Sequence, residues 1–351
     1  MAYQPFSVKD EVVRALYGRS TSFNLNAKKL SNVPECVCRL TNLSVLSLSY
    51  NSISGLPAKL LSLQQLTELN LGNNALKEVP AVLGHLESLK KLYLFRNQIT
   101  AVPPDVMGRL RNLVVLNLNH NKIQRLPPEI YSLSKLQHLS VLDNKLEELP
   151  DEVGQLTELS EMNLTFNELP CLPQQLYRCR ELTKLHAARN KLISLPEGIT
   201  KLPKLQVLDV AGNKLSVFPV EFHLLPLKEL YCEGNRFVQC EPVSSLQDVE
   251  VLTLKEQVAR FVLQEDRNKF SLIHTMLPHH PHLTTLLASA SCCAVCRSPF
   301  LTTWLECVHF VHLKKDVKVK SLQTIPVRAL LCSYKCFNRD GHGYYGVQPG
   351  K

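Results

Sequence analysis

Apolar and polar positions along most of the chain fall into one short unit that recurs about every 23 residues. In Leu66-Thr-Glu-Leu69-Asn-Leu71-Gly-Asn-Asn74 the leucines take the first, fourth and sixth places and an asparagine the ninth. The asparagines Asn51, Asn74, Asn97, Asn121, Asn144, Asn167, Asn190, Asn213 and Asn235 are separated by 23, 23, 24, 23, 23, 23, 23 and 22 residues, and prolines from Pro34 to Pro219 keep nearly the same step. Leucines alternating with polar residues predict a short strand. The Leu-Pro step fixes φ where no amide donor is needed, so a turn into a short helix or 3₁₀ segment is expected after it, as over Ala58 to Leu63. The asparagine amide can satisfy backbone groups of the turn that leaves the strand, one repeat after another. An earlier, degenerate unit from Phe23 to Pro34 carries Lys28 in place of the asparagine.

No such unit can bury its own leucines, so stability has to come from stacked neighbours. The L-x-x-L-x-L-x-x-N pattern resembles the leucine-rich repeat over residues 21–240. Its short step with Leu-Pro is similar to the intracellular class of the Ras-suppressor, Erbin-like and plant intracellular Ras-group proteins. The resemblance implies an α/β solenoid of nine to ten repeats, with a curved parallel sheet inside and short helices outside. It does not single out a partner, because one fold serves many. Solenoids need caps, and Val8 to Tyr17, within residues 1–20, reads as an amphipathic helix with Val12, Val13, Leu16 and Tyr17 turned inward.

The exposed columns of the strand face are readable from the repeat. Most positions hold small polar residues. Against them stand Tyr93, Phe95, Arg96, His120, Leu142, Phe166, His186 and Arg189, in the third to seventh repeats. Aromatics and arginine carry most interface energy, so these eight are the candidate protein-binding residues of the concave face. Some of the aromatics could instead pack on neighbouring rungs. His120 with Asp143 reads as a hydrogen-bonded surface pair; no nucleophile or phosphate loop accompanies it, and no catalysis is expected.

After residue 240 the pattern changes. Residues 241–252 read as a link or half-repeat. Thr253 and Glu256 form a T-x-x-E capping box that starts a helix, with Leu254, Val258, Phe261, Val262 and Leu263 as one apolar stripe. Two further helices are expected, around Phe270 to Leu277 and His282 to Ser291, making residues 241–290 a helical cap. Thr253, Leu254, Val258 and Val262 resemble the elongin-binding box of the von Hippel–Lindau and suppressor-of-cytokine-signalling proteins, with Val258 in place of the usual small residue. Leu277-Pro278-His-His-Pro281-His-Leu283 is similar to the cullin-selecting segment that follows such boxes, at a different spacing. The resemblance implies docking to elongin B–elongin C and a cullin, with the helix laying Leu254 into a groove. The competing expectation is a helix that only covers the ninth repeat, burying Leu254 and Val258.

Twelve cysteines occur, and six of them crowd into the last sixty residues. The first ten residues have no apolar secretory segment, so a reducing compartment is expected, cytoplasm first and nucleus as the alternative. Cys293-Ala-Val-Cys296 and Cys332-Ser-Tyr-Lys-Cys336 then supply two knuckles for a tetrahedral structural zinc, within a small sheet-bearing module over residues 291–340 that precedes a tail, 341–351. Cys292, Cys307, His309 and His312 are substitute ligands. The tail resembles that of leucine-rich repeat-containing protein 58 and its relatives. Eight ligands for a RING are not available.

Charge adds little. Lys and Arg total 40 against 31 Asp and Glu, a net +9 spread along the chain. Lys314, Lys315, Lys318 and Lys320 lack interleaved aromatics, so a solvated strand face is expected and nucleic acid is not. No apolar run reaches the ~20 residues of a membrane helix. The sequence therefore reads as a non-catalytic adaptor, either a substrate receptor of an elongin–cullin ubiquitin ligase or a signalling scaffold of the Ras-suppressor type.

Overall fold

Each repeat closes through its asparagine. Asn121 Nδ2 donates to the carbonyls of Leu94 (3.0 Å), Leu118 (2.9 Å) and Asn119 (3.2 Å), while its Oδ1 accepts from Ile99 N (3.0 Å). One buried amide thus satisfies the turn of its own repeat and ties it to the repeat before. The computed structural model that shows this describes residues 8–238, 252–302, 304–313, 316–319, 324–339 and 341–349. The expected link over 241–251, together with Lys314, Lys315 and Lys320, lies outside the described residues.

The chain divides into two compact units. One comprises Met1–Leu215, Leu225–Arg236 and Lys315–Ser321; the other comprises Ser216–Leu224, Phe237–Lys314 and Leu322–Lys351.

The first unit is the solenoid. Its strands are β1 (Ser22–Asn24), β2 (Val45–Ser47), β3 (Glu68–Asn70), β4 (Lys91–Tyr93), β5 (Val115–Asn117), β6 (His138–Ser140), β7 (Glu161–Asn163), β8 (Lys184–His186), β9 (Val207–Asp209) and β10 (Glu229–Tyr231). They pair in parallel in chain order. The register sets like on like, with Leu46 beside Leu69 and Leu69 beside Leu92. These leucines are buried, and the residues on either side face outward. Prolines from Pro34 to Pro196, at φ between −61° and −71°, lead into the opposite side of each repeat. There a five-residue 3₁₀ segment follows in most repeats. The single 24-residue step instead holds an α-helical turn, α2 (Pro104–Met107), which takes up its extra residue.

Both ends of this sheet are elaborated. At the start, α1 (Val8–Tyr17) buries Val12 and Ala15, one turn apart on a single narrow stripe, whereas Val13, Leu16 and Tyr17 are exposed. The expectation that all four apolar residues turn inward holds for Val12 alone. A ten-residue helix against one repeat presents only an i, i+3 stripe to it. Lys28, at the missing ladder position, pairs with Glu11 of α1 at 2.5 Å. At the far end an eleventh strand among the described residues, β14 (Lys318–Val319), joins β10 in parallel. Its amide at Lys318 donates to Lys228 O at 2.7 Å, so the last repeat does not present a bare edge there.

The second unit holds α3 (Leu254–Asp266), α4 (Leu272–Met276) and α5 (Pro281–Leu287). A short hairpin of β11 (Ser291–Cys292) and β12 (Pro299–Phe300) follows, then an antiparallel sheet in the order β15 (Thr324–Leu331), β13 (Leu305–His312), β16 (Tyr344–Pro349), with α6 (Tyr334–Phe337). The segment expected as a tail supplies β16, because the free edge of β13 can take a third strand. Phe218, fully buried, stacks on Phe222 and Phe237 and donates its amide to Pro326 O, joining Ser216–Leu224 to β15 within this unit.

Candidate functional site

The strand face has an organisation the repeat pattern does not display. The residue just before each ladder asparagine is left-handed: Tyr50, Asn73, Arg96, His120, Asp143, Phe166 and Arg189 have φ between 51° and 58°, and Gly212 and Gly234 follow at 66° and 70°. Non-glycine residues enter this region at a cost, and the ladder bonds on both sides impose it. Their side chains project as one column, and neighbours in it pair. His120 Nδ1 lies 2.8 Å from Asp143 Oδ2, and the Arg189 guanidinium stands 4.7 Å from the Phe166 ring centroid. Phe166 is 44% exposed even so.

Of the eight expected residues, Arg96, Phe166 and Arg189 are exposed, while Tyr93, Phe95, His120, Leu142 and His186 are half-buried. Phe95 is a rung-packing residue: its ring covers Gly72, where a Cβ would come within 2.3 Å of the ring. Small polar neighbours are spent internally, as when Asn119 Oδ1 accepts from Leu142 N (2.9 Å) and Ser140 Oγ (2.7 Å). A further column, one residue before the central strand leucine, is charged. Lys91 lies 3.3 Å from Glu68, and His138 and Lys184 lie 3.7 Å and 3.5 Å from Glu161. It is not among the residues expected from the repeat; its signal is Glu68, Lys91, His138, Glu161 and Lys184 at one place in the repeat, interrupted by Val115.

On α3 the expected helix start is present, and Thr253 Oγ1 accepts from Glu256 N at 3.2 Å. The expected apolar stripe is split between two faces, because 3.6 residues per turn carry Val262 and Leu263 round toward the buried side. Leu254, Val258 and Phe261 are 76%, 52% and 60% exposed, while Ala259 is buried with Leu287 and Leu301, and Val262 and Leu263 pack partly against them. A buried charge holds the helix as well. Glu256, fully buried, does not complete the capping box. Its carboxylate accepts from Leu301 N (3.0 Å), Thr302 N (2.6 Å), Thr302 Oγ1 (2.8 Å) and Arg260 Nε (2.7 Å). Burial pushes its pKa up, but these four donors overcome that and hold it down at about 2.

The four cysteines singled out by spacing come together. Cys293, Cys296, Cys332 and Cys336 have all their sulfurs within 4.8 Å of one another. Cys296 and Cys332 Sγ are 3.5 Å apart, and Cys332 and Cys336 Sγ 3.6 Å apart. Thiolates at about 2.3 Å from a tetrahedral ion would stand about 3.8 Å from each other. The donor set therefore fits a metal ion, and among the described residues it is the one such cluster. The Cys332 thiol, and then backbone amides of Cys296, Cys332 and Val295, favour a Cys293 thiolate and lower its pKa against the cost of burial. The substitutes do not join. Burial raises Cys307 to about 12, Cys292 accepts from Arg267, His309 lies edge-on to Tyr344, and His312 bonds Thr324. His279, His280 and His282 are simply exposed.

Stacked parallel strands, the asparagine ladder and an outward-facing strand surface define a leucine-rich-repeat solenoid. Comparison with known proteins agrees with that class: residues 41–99 and 87–146 match the family described as leucine rich repeat. Leucine-rich repeat-containing protein 69 of Xenopus laevis is 47% identical over 126 residues, 36% of this chain and 36% of that protein. Its human counterpart is 38% identical over 122 residues, 34% of this chain and 35% of that protein. The chain thus spans about a third of the length of these curated relatives. Among solved structures, a TDR receptor aligns with TM-score 0.58 and 27% identity over 65% of this chain and 41% of its own. The plant peptide hormone receptor RGFR1, solved in complex with RGF2, aligns with TM-score 0.53 and 27% identity over 61% and 40%. No helix among the described residues is long and apolar enough to cross a membrane.

Proposed function

We propose that this chain is a non-catalytic adaptor that recognises one protein on its strand face and docks a second through α3, as a substrate receptor of an elongin–cullin ubiquitin ligase does. The observation that carries the reading is the outward face of α3, where Leu254 is 76% exposed on a helix otherwise gripped by buried Glu256. An amphipathic helix laid into a groove needs this presentation, whereas a helix that only covers the repeats would bury Leu254. The match of Thr253, Leu254, Val258 and Val262 to the elongin box supports elongin B–elongin C as the second partner. On the strand face, Tyr93, Arg96, Phe166, His186 and Arg189 are the residues of choice for the first partner; a peptide-bound receptor among the similar structures supports that use of the fold. The four-cysteine cluster holds a structural zinc in this reading, which the closeness of its four sulfurs, all within 4.8 Å of one another, supports. The signalling-scaffold alternative assigns α3 no docking role.

The test is affinity capture with wild type and with Leu254→Asp/Val258→Asp. Elongins and a cullin retained by the first and lost from the second, both folded, are the expected result. Elongins absent from both would sink the ligase reading and leave the scaffold.

A further inference from the structure

The face of α3 opposite its exposed stripe bonds to the knuckles of the cysteine cluster. Arg260 Nη2 donates to Cys332 O at 3.0 Å. Arg267 Nη1 donates to Arg297 O at 2.9 Å, the residue after Cys296, and its Nη2 to Cys292 Sγ at 3.0 Å, the residue before Cys293. Glu256 takes both amides of Leu301 and Thr302, just past β12. At about 100° per residue, positions 256, 260 and 267 fall within an arc of about 40°, and Leu254, Val258 and Phe261 lie about 120–180° from its centre. Helix and cysteine module are therefore joined by three charged side chains: Arg260 and Arg267 grip backbone at or beside the ligand cysteines, and Glu256 grips the chain just past β12. Apolar packing adds to this: Ala259 is buried, and Val262 and Leu263 lie partly against Leu287 and Leu301.

We propose that α3 and the ion-holding knuckles form one cooperative element, so that metal loss frees α3 and dismantles the Leu254–Val258–Phe261 docking face. This rests on the cluster being a metal site and is independent of which protein docks. Without an ion, four thiols crowded within 4.8 Å have no shared ligand to keep the Cys293–Cys296 and Cys332–Cys336 turns in register, and the carbonyls that Arg260 and Arg267 grip belong to those turns. Outer contacts of this kind commonly tune metal affinity on the order of tenfold or more. Coupling is reciprocal, so weakening the grip must also weaken the metal. Glu256, Arg260 and Arg267 are thus positioning residues for a metal-dependent interaction surface.

The experiment uses the full chain reconstituted with zinc, with metal content measured. Trp304, the only tryptophan, packs against the cluster core and reports the module by fluorescence. Amide hydrogen exchange is followed with and without a chelator. Removing zinc is expected to speed exchange over Leu254–Asp266 by about tenfold or more, leaving strands β2 to β9 unchanged. In Glu256→Gln/Arg260→Ala, α3 exchange should already be fast, and zinc should be lost at about tenfold lower chelator concentration. Zinc removed with α3 exchange unaltered would overturn the coupling while leaving the metal site standing, and faster exchange throughout the chain would overturn its locality. A wild type that takes up no zinc would overturn the metal reading and this inference with it. The chelation arm needs no variant to fold.

Discussion

His120 Nδ1 and Asp143 Oδ2 meet at 2.8 Å across two adjacent repeats, and both residues occupy the left-handed position before a ladder asparagine. Their side chains are 39% and 58% exposed, so this is a solvent-accessible hydrogen-bonded pair, worth less than about 1 kcal/mol. Asp143→Asn should shift the urea midpoint only slightly, while any protein bound on the strand face would lose affinity if it contacts this column. A loss of several kcal/mol in stability would show that the pair is structural.

The ladder should be far more sensitive. Asn121→Ala strips the side-chain amide from four backbone partners, three of them in buried bonds. Each buried group left unsatisfied costs about 1–3 kcal/mol, so destabilisation of about 2 kcal/mol or more is expected by urea unfolding. A change under about 0.5 kcal/mol would contradict the role given to the amide.

Gly72 and Phe95 make a pair that can be tested by a cycle. Gly72→Ala would drive a methyl into the Phe95 ring, and overpacking of that kind costs about 1–3 kcal/mol. In a Phe95→Ala background the same change should cost much less, giving a coupling energy above about 0.5 kcal/mol. Additive single effects would mean the ring is not seated there.

Acid should release α3 through Glu256. Its folded pKa of about 2 lies below the ordinary 4.5. The stabilisation is therefore fully present above about pH 4.5 and is lost as pH falls toward 2. A depression of that size corresponds to about 3 kcal/mol. Glu256→Gln should lower stability at neutral pH and flatten the acid limb of the melting profile between pH 4.5 and 2. An acid limb identical to wild type would refute the assignment.

Leu254→Asp should leave the fold intact, since an exposed side chain costs about 0.5 kcal/mol or less to replace. Leu139→Ala, in the buried strand column, should cost about 2–5 kcal/mol. Thermal melts of the two distinguish a docking face from a core; a Leu254→Asp variant that unfolds would place that residue inside.

What the sequence by itself determined is what repeats or what is close along the chain. The step from Asn51 to Asn235 sets strands, register, ladder and proline turns, because each unit has the same neighbours and the same leucines to bury. Two close cysteine pairs named the four thiols that meet, since a C-x-x-C knuckle already fixes two ligands. Tertiary structure alone decided the rest. The left-handed turn of Arg96, His120, Phe166 and Arg189 is imposed by ladder bonds from adjacent repeats and by no preference of those residues. Phe95 became a rung contact because Gly72, a repeat away, left room for it. Glu256 looked like half of a capping box, yet two amides about 45 residues further on offered its carboxylate a buried site, and that turned Leu254, Val258 and Phe261 outward. Periodicity encodes interactions that recur; a single long-range hydrogen bond to a buried charge leaves no period to read.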